Sequence, residues 1–302
     1  MAPMTTVPLS SHGCRTPARS SKMVGAAGGH VRSASVPCYT HPLLMHVDDQ
    51  LLALRSWTSN PGQNPLSLAH VRALLCVLDE LLHLPLAQAA LIRGGAAAGA
   101  DGLLDGFLVL ADAFGTFLAA LVALRQHASE LRAAVRRRDA AKLASAARAQ
   151  RQVGKELEQL AAAVARGAAR CARASLVSSS SSTCGSAAGE LEVARTVAEA
   201  VNNTAAASAS VFAEVGAVAD AAAALASPAS SSPKKRLPPL VNTSLRSNKM
   251  RPTSEEQREA VALRKLQELE ECIGELESES EKVFRSLVQT RVSLLNIHTP
   301  TF

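Results

Sequence analysis

Aromatic residues are scarce in this chain. They make up 3% of its residues, with one Trp, one Tyr and six Phe, although hydrophobic residues reach 47%. The apolar content is therefore mostly Ala, Leu and Val, small or unbranched side chains that let helices pack closely. This balance favours an all-α protein. It also leaves few rings on which nucleic-acid bases could stack.

Paired cysteines are absent from the sequence. The six cysteines are dispersed and none belongs to a C-x-x-C pair. Structural zinc sites and disulfide frameworks normally show paired spacing, so we expect free thiols in a reducing, intracellular compartment. The six are Cys14, Cys38, Cys76, Cys171, Cys184 and Cys272.

Motifs that carry chemistry are also missing. None of the eight histidines pairs with another at i+3 or i+4, and no P-loop, dinucleotide-binding glycine motif or nucleophile elbow occurs. Asp101, Asp105 and Asp112 could put two carboxylates on one helix face, but a di-metal site also needs histidine or a second helix that carries carboxylates. We therefore expect a protein that is not an enzyme and that uses no cofactor, metal or small-molecule substrate.

What the chain does have is a long apolar stripe towards its C-terminus. Apolar residues there alternate three and four positions apart over about five heptads, as in a coiled-coil helix. Ser280 and Thr290 occupy two positions without breaking the spacing, and Thr253 with Glu256 predicts a capping box at the start. The stripe consists of Leu266, Leu269, Ile273, Leu276, Val283, Leu287, Leu294 and Ile297.

Upstream periodicity predicts further helices. The first begins after Thr40, the second begins at the pair Asn64-Pro65, and Pro85 kinks or stops the second. Ala-rich helical segments follow further along the chain. Together with the C-terminal stripe, these segments predict an elongated antiparallel helical bundle.

A nearly continuous apolar helix is predicted from Asp101 to Arg125, and it is long enough to span a bilayer. Asp105 and Asp112 lie inside it, and each would cost about 3 kcal/mol at the bilayer centre. We interpret this segment as the buried central helix of the bundle and do not expect membrane contact. Membrane anchoring through residues 102–124 is the alternative.

Charge is unevenly distributed between two of the predicted helical regions. Residues 131–175 contain eleven Lys or Arg against three acidic residues, a net charge of +8. Residues 255–282 contain ten acidic residues against four basic ones, a net charge of −6. We expect the two regions to pack together within one chain and to neutralise each other, which argues against nucleic-acid binding. A dimer through the stripe is the alternative.

Three segments lack apolar periodicity. Residues 1–40 are rich in Ser, Thr, Pro, Gly and basic residues, which predicts a disordered tail, although an organelle transit peptide has the same composition. Linkers are predicted at about 178–189 and 227–252, inside a helical domain that spans residues 41–300.

Two short motifs lie in these segments. The first, R-S-x-S-x-P, resembles the phosphopeptide pattern bound by 14-3-3 proteins, because phosphorylation of Ser35 would add nearly two negative charges beside Arg32, with Pro37 turning the chain away. The second resembles a short nuclear import signal. It consists of Lys234, Lys235 and Arg236.

Several phrases of the sequence together resemble one family. They are HPL at 41–43, LHLPLAQAAL at 82–91, LLDG at 103–106, the arginine cluster after EL at 130–131, and RVSLLNI at 291–297. The chain resembles the plant-specific domain-of-unknown-function-241 family, relatives of the BYPASS proteins. The resemblance implies a helical plant protein without known enzymatic activity, associated with root and shoot development.

These observations predict an all-α, elongated antiparallel bundle with a long coiled-coil-like C-terminal helix and a disordered N-terminal tail. We expect a non-enzymatic role in root and shoot development, exerted through protein–protein contacts in the cytoplasm. A nuclear protein that associates with nucleic acid is one alternative, and a plastid location follows if the tail is a transit peptide. The sequence leaves partner identity and oligomeric state open.

Substitution of Leu269 and Leu276 with Asp distinguishes a bundle from a dimer. Two carboxylates on the stripe should unfold a domain that this helix closes, because each would be a buried charge without a partner. Circular dichroism and analytical ultracentrifugation of the full chain measure the outcome. A folded monomer obtained from a wild-type dimer would show instead that the stripe faces a second chain.

Overall fold

The four longest helices make up most of the fold. A computed structural model describes residues 41–60, 66–94, 97–179, 188–226 and 252–299, and within these ranges the chain forms seven helices and no strand. The helices are α1 (Pro42–Ser59), α2 (Ala69–Leu82), α3 (Pro85–Gly94), α4 (Ala97–Arg137), α5 (Ala140–Ser179), α6 (Ala188–Ala226) and α7 (Pro252–His298). The predicted all-α helical bundle is confirmed. The predicted tail at 1–40 and most of both predicted linkers lie outside the described residues.

Helices α4 to α7 have 41, 40, 39 and 47 residues, so each is roughly 60–70 Å long. Consecutive helices α4, α5 and α6 pack as antiparallel neighbours, and α7 packs against α4, α2 and α6. Helix α1 contacts α2 and α6, while α3 contacts α6 and α7. One continuous core therefore joins all seven helices.

Helix α1 begins as the sequence predicts. Pro42 occupies its first turn, where the missing N–H costs nothing, and His41 Nδ1 accepts a hydrogen bond from the backbone N–H of Leu43 at 3.2 Å. The inward face of α1 consists of Leu44, Val47, Leu51 and Leu54.

Helix α2 begins later than predicted, at Ala69 instead of the pair Asn64-Pro65. The backbone N–H of Leu68 donates to Glu279 Oε2 at 2.7 Å, across 211 positions of sequence. A tertiary contact with α7 therefore marks the start of the helix. At its other end, α2 and α3 meet at an angle of 83°, in agreement with the predicted break at Pro85.

The basic region 131–175 is divided between two helices, which corrects the prediction of one long helix. Helix α4 continues past Arg125 to Arg137, and α5 begins at Ala140. Arg138 lies between them with φ of 52°, a left-handed conformation that reverses the chain. Asp139 Oδ1 then accepts from the backbone N–H of Lys142 at 3.1 Å and caps α5.

Three phenylalanines form the aromatic centre of the core. Phe117 and Phe212 stack with ring centroids 4.1 Å apart, and Phe114 meets the edge of Phe212 at 5.3 Å. All three side chains are fully buried. Because Phe212 lies on α6 and the other two lie on α4, this cluster fixes how the two helices pack against each other.

Helices α5 and α6 approach closely at a pair of glycines. A Cβ atom added at Gly216 would lie 2.9 Å from the backbone oxygen of Gly154, which is closer than van der Waals contact allows. Gln150 Nε2 donates to the backbone oxygen of Ala219 at 2.6 Å beside this contact. The absence of side chains at the two glycines therefore sets the distance between these helices.

The substitution Gly216→Ala should lower the free energy of unfolding by about 1–3 kcal/mol, because the new methyl group pushes two backbones apart. This is the net change, because the steric cost of the methyl group should exceed the gain of about 1 kcal/mol in helix propensity. Urea denaturation of the full chain measures the difference.

Gly115 provides the matched control, because an added Cβ there meets no atom within 4 Å. Gly115→Ala should raise the free energy of unfolding by roughly 0.5–1 kcal/mol. Stabilisation by both substitutions would show that α5 and α6 are not in close contact at Gly216.

Candidate interaction surfaces

The predicted apolar stripe lies on the inner face of α7. All eight of its residues are buried, and the most exposed, Ile297, is only 6% exposed. These residues belong to the core that α7 shares with α4, α2 and α6. In the described residues, the stripe therefore contacts helices of its own chain.

Two hydroxyl groups interrupt this apolar face. Thr290 Oγ1 donates to the backbone oxygen of Ser286 at 2.9 Å, so its hydroxyl is satisfied within α7. Ser280 is fully buried, and its hydroxyl finds no hydrogen-bond partner in the described part of the chain. Both side chains are short, so they keep the helical spacing of the stripe.

Arginines of α4 form ion pairs with acidic residues of α7. Arg125 pairs with Glu277, and Arg132 pairs with Glu270. Because the α4 residue numbers rise by seven while the α7 numbers fall by seven, the two helices run antiparallel. The carboxylates are mostly shielded, with Glu277 18% and Glu270 22% exposed.

A third pair extends this row, between Arg138 and Glu259 at 3.2 Å. The expectation that α7 packs on the basic region 131–175 therefore holds only for the part of that region before α5. Helix α5, which carries most of that region, packs against α4 and α6. The apolar stripe of α7 packs against apolar side chains of α4. The arginines of α4 pair with the carboxylates of α7 beside it.

Helix α7 also contacts both halves of α2 through polar groups. The Glu279 carboxylate accepts from the Leu68 backbone N–H and, at 3.4 Å, from Ser67 Oγ, which places a negative charge at the positive end of the helix. Further along, Ser293 Oγ donates to Asp79 Oδ1 at 3.1 Å. No local sequence pattern indicates these partners, because more than 200 positions separate them.

A polar contact also joins α1 to α6. Arg55 donates to Glu199 at 2.9 Å and to Asn203 at 3.0 Å. Burial raises the pKa of Glu199, but hydrogen bonds from Arg195 and Arg55 outweigh it, so the pKa lies below its ordinary value. The carboxylate is therefore charged at neutral pH and holds α1 in place.

Burial raises the pKa of two described cysteines, Cys171 and Cys272. A raised pKa keeps a thiol protonated and weakly nucleophilic. Within the described residues, no group of three or more His, Cys, Asp or Glu side chains could hold a metal ion.

Two helices in the described ranges are long and apolar enough to cross a membrane, judged by length and composition. They are Asp101–Arg137 and Glu192–Ala226, and the bent pair of α2 with α3 would pass the same criterion as one span. The segment 102–124, for which membrane anchoring is the alternative to a buried helix, lies in the first of them. Its Phe107, Phe114 and Phe117 are fully buried in the core of the bundle.

Some large apolar side chains point away from the core. On α1, Met45 is 58% and Leu52 is 61% exposed. On α7, Val288 and Val292 are 41% and 42% exposed and lie one turn apart. Helix α7 therefore presents apolar residues on its outer side as well as on its inner side.

The two predicted short motifs are not part of these surfaces. The proposed phosphorylation site at Ser35, with Arg32 and Pro37, lies outside the described residues. The proposed import signal lies outside them as well, at Lys234, Lys235 and Arg236. Both stay predictions from sequence.

The fold and its contacts define a helical-bundle protein that is closed by a long C-terminal helix packed within its own chain. A family profile described as Protein BPS1 matches residues 67–297, which is most of the chain and includes α2 to α7 except for the last residue of α7. The chain belongs to this family, which confirms the resemblance to BYPASS relatives. No curated protein and no solved structure matches the chain.

The substitution Glu279→Ala should lower the free energy of unfolding by about 1–2 kcal/mol, because it leaves the Leu68 N–H of α2 without its acceptor. Glu281→Ala is the control, since Glu281 is 57% exposed and pairs with Arg285 on its own helix. The control should change the free energy by less than about 0.5 kcal/mol. Equal effects in urea denaturation would contradict the capping role.

Proposed function

We propose that this protein acts in plant root and shoot development without catalysing a reaction, through contacts with other proteins. The observation that carries the proposal is the match to the Protein BPS1 family over residues 67–297. It supports a role in development, and the finer statements about organs and mode of action are our own.

A surface on α7 supports the proposed mode of action. The inner face of the helix is occupied by α4, α2 and α6, so a partner protein has to use the outer face. Val288 and Val292 are exposed there, and Val292 belongs to the family phrase at 291–297. Exposed apolar side chains one turn apart are the pattern by which a helix contacts another protein.

Helix α4 extends this surface. The pairs Arg125–Glu277 and Arg132–Glu270 fix an antiparallel register that places Val292 at about the level of Leu108. Leu108 is 39% exposed on α4. The outer side of the α4–α7 pair therefore offers apolar residues from two helices that the core and the arginines hold rigidly together.

The double substitution Val288→Asp and Val292→Asp tests this surface. Both side chains are partly exposed, so we expect helical content and the free energy of unfolding to stay close to those of the wild type. In plants that lack the protein, this variant should fail to restore root and shoot development.

Val261→Asp serves as the control, because Val261 is 47% exposed on the same helix, about eight turns away. It should restore development as the wild type does. Full restoration by the double variant would contradict the proposed surface. Turnover of a metabolite by the purified full chain would contradict the non-enzymatic role.

A further inference from the structure

Four basic residues form a straight line along α5. Arg148, Lys155, Arg166 and Arg173 are 7, 11 and 7 positions apart and all are exposed. With 3.6 residues per turn, these spacings keep the four within about 20° of one line on the helix surface. The line extends over 25 positions, about 37 Å. We refer to these four residues as the α5 basic stripe.

The α5 basic stripe points away from the bundle. The buried residues of α5, among them Val153, Leu157 and Val164, lie on the opposite side and contact α4 and α6. Between the basic residues, the exposed line carries small side chains such as Ala162. Gln152 and Gln159 also lie on or beside the line, and no acidic side chain lies on it.

These charges are not neutralised within the described part of the chain. None of the four forms an ion pair with a described acidic residue, and Arg148 and Arg173 donate Nε–H only to backbone oxygens of α5 itself. The sequence led us to expect neutralisation by the acidic helix α7. In the structure, the carboxylates of α7 pair with arginines of α4 and the following turn instead.

Acidic residues lie on the flanks of the line, and one of them, Asp220 of α6, has its Oδ1 2.7 Å from the position of a Cβ added at Gly154. Glu156 and Glu158 are exposed on the two sides of α5, and Asp105 and Asp112 are exposed on α4. Helix α5 itself contains seven basic residues and two acidic ones, Glu156 and Glu158, so its net charge is +5. The positive charge is therefore concentrated on a ridge and bordered by negative charge.

We propose that the α5 basic stripe binds the surface of an anionic lipid bilayer. A flat surface of negative headgroups touches a straight convex ridge along its full length and leaves the flanking carboxylates in water. Such contact is electrostatic and needs no apolar side chains. It is peripheral, and so it differs from a membrane span through 102–124.

Other anionic partners fit this ridge less well. A groove of duplex DNA surrounds a helix on both sides, so its phosphates would meet Glu156, Glu158 and the aspartates of α4. A stable protein interface has an apolar centre, and the ridge carries none. A convex basic ridge with flanking carboxylates therefore fits a flat lipid surface better than it fits duplex DNA or a protein partner.

Sedimentation of the full chain with lipid vesicles tests the proposal. The wild type should bind vesicles of phosphatidylcholine mixed with phosphatidylserine, should not bind phosphatidylcholine alone, and should dissociate at high salt. Substitution of all four residues of the α5 basic stripe with Gln should weaken binding by at least about tenfold, since each charge near the surface contributes about fivefold.

A second quadruple variant is the matched control. Arg258, Arg264, Lys265 and Arg285 are exposed on α7, and their substitution with Gln removes the same total charge. This control should retain most of the binding. An equal loss in both variants would overturn the proposal, because net charge alone would then explain it. Vesicle binding that survives in the stripe variant would also overturn the proposal, and so would a wild type that does not bind vesicles.

Two further measurements test whether both ends of the stripe contribute and whether lipid or nucleic acid is the preferred partner. The pairs Arg148→Gln with Lys155→Gln and Arg166→Gln with Arg173→Gln should each cause part of the loss, with circular dichroism confirming the fold. A duplex DNA that displaces the chain from vesicles at equal phosphate concentration would overturn the proposal in favour of nucleic acid.

Discussion

Burial of the apolar face of α7 is the contact on which the rest of the structure depends. This face touches α4, α2 and α6 at once, so one helix joins elements from both halves of the chain. Burial of a Leu or Val side chain contributes about 1.5–3 kcal/mol, whereas an exposed ion pair contributes less than about 1 kcal/mol. Packing of the stripe therefore stabilises the bundle, and the arginines of α4 select the antiparallel orientation.

Two of the neighbours of helix α4, α7 and α5, have opposite requirements. It offers α7 a row of arginines beside apolar residues, and it offers α5 small or apolar positions such as Gly106 and Val109. Since α4 supplies counter-charges for α7, the four residues of the α5 basic stripe are left facing water. The division of the basic region at Arg138 is the cause, because the turn directs its two parts to different sides of the bundle.

The sequence was sufficient to predict the helical class, the start of α1, the break at Pro85 and the inner face of α7, because each follows from local periodicity or a local breaker. It was not sufficient to predict the turn at Arg138, since a left-handed Arg has no reliable local signal. It also misplaced the start of α2, which depends on Glu279 in a distant helix. The outer surfaces of α5 and α7 became visible only once their packing partners were known.

The bond between Leu68 and Glu279 has a consequence for the order in which the protein is made. Synthesis proceeds from the N-terminus, so α2 leaves the ribosome long before the residue that caps it exists. Until α7 has been synthesised, the first amide groups of α2 can donate only to water, and its apolar face cannot pack against α7. The N-terminal helices therefore complete their native contacts only when the last sixth of the chain has been translated.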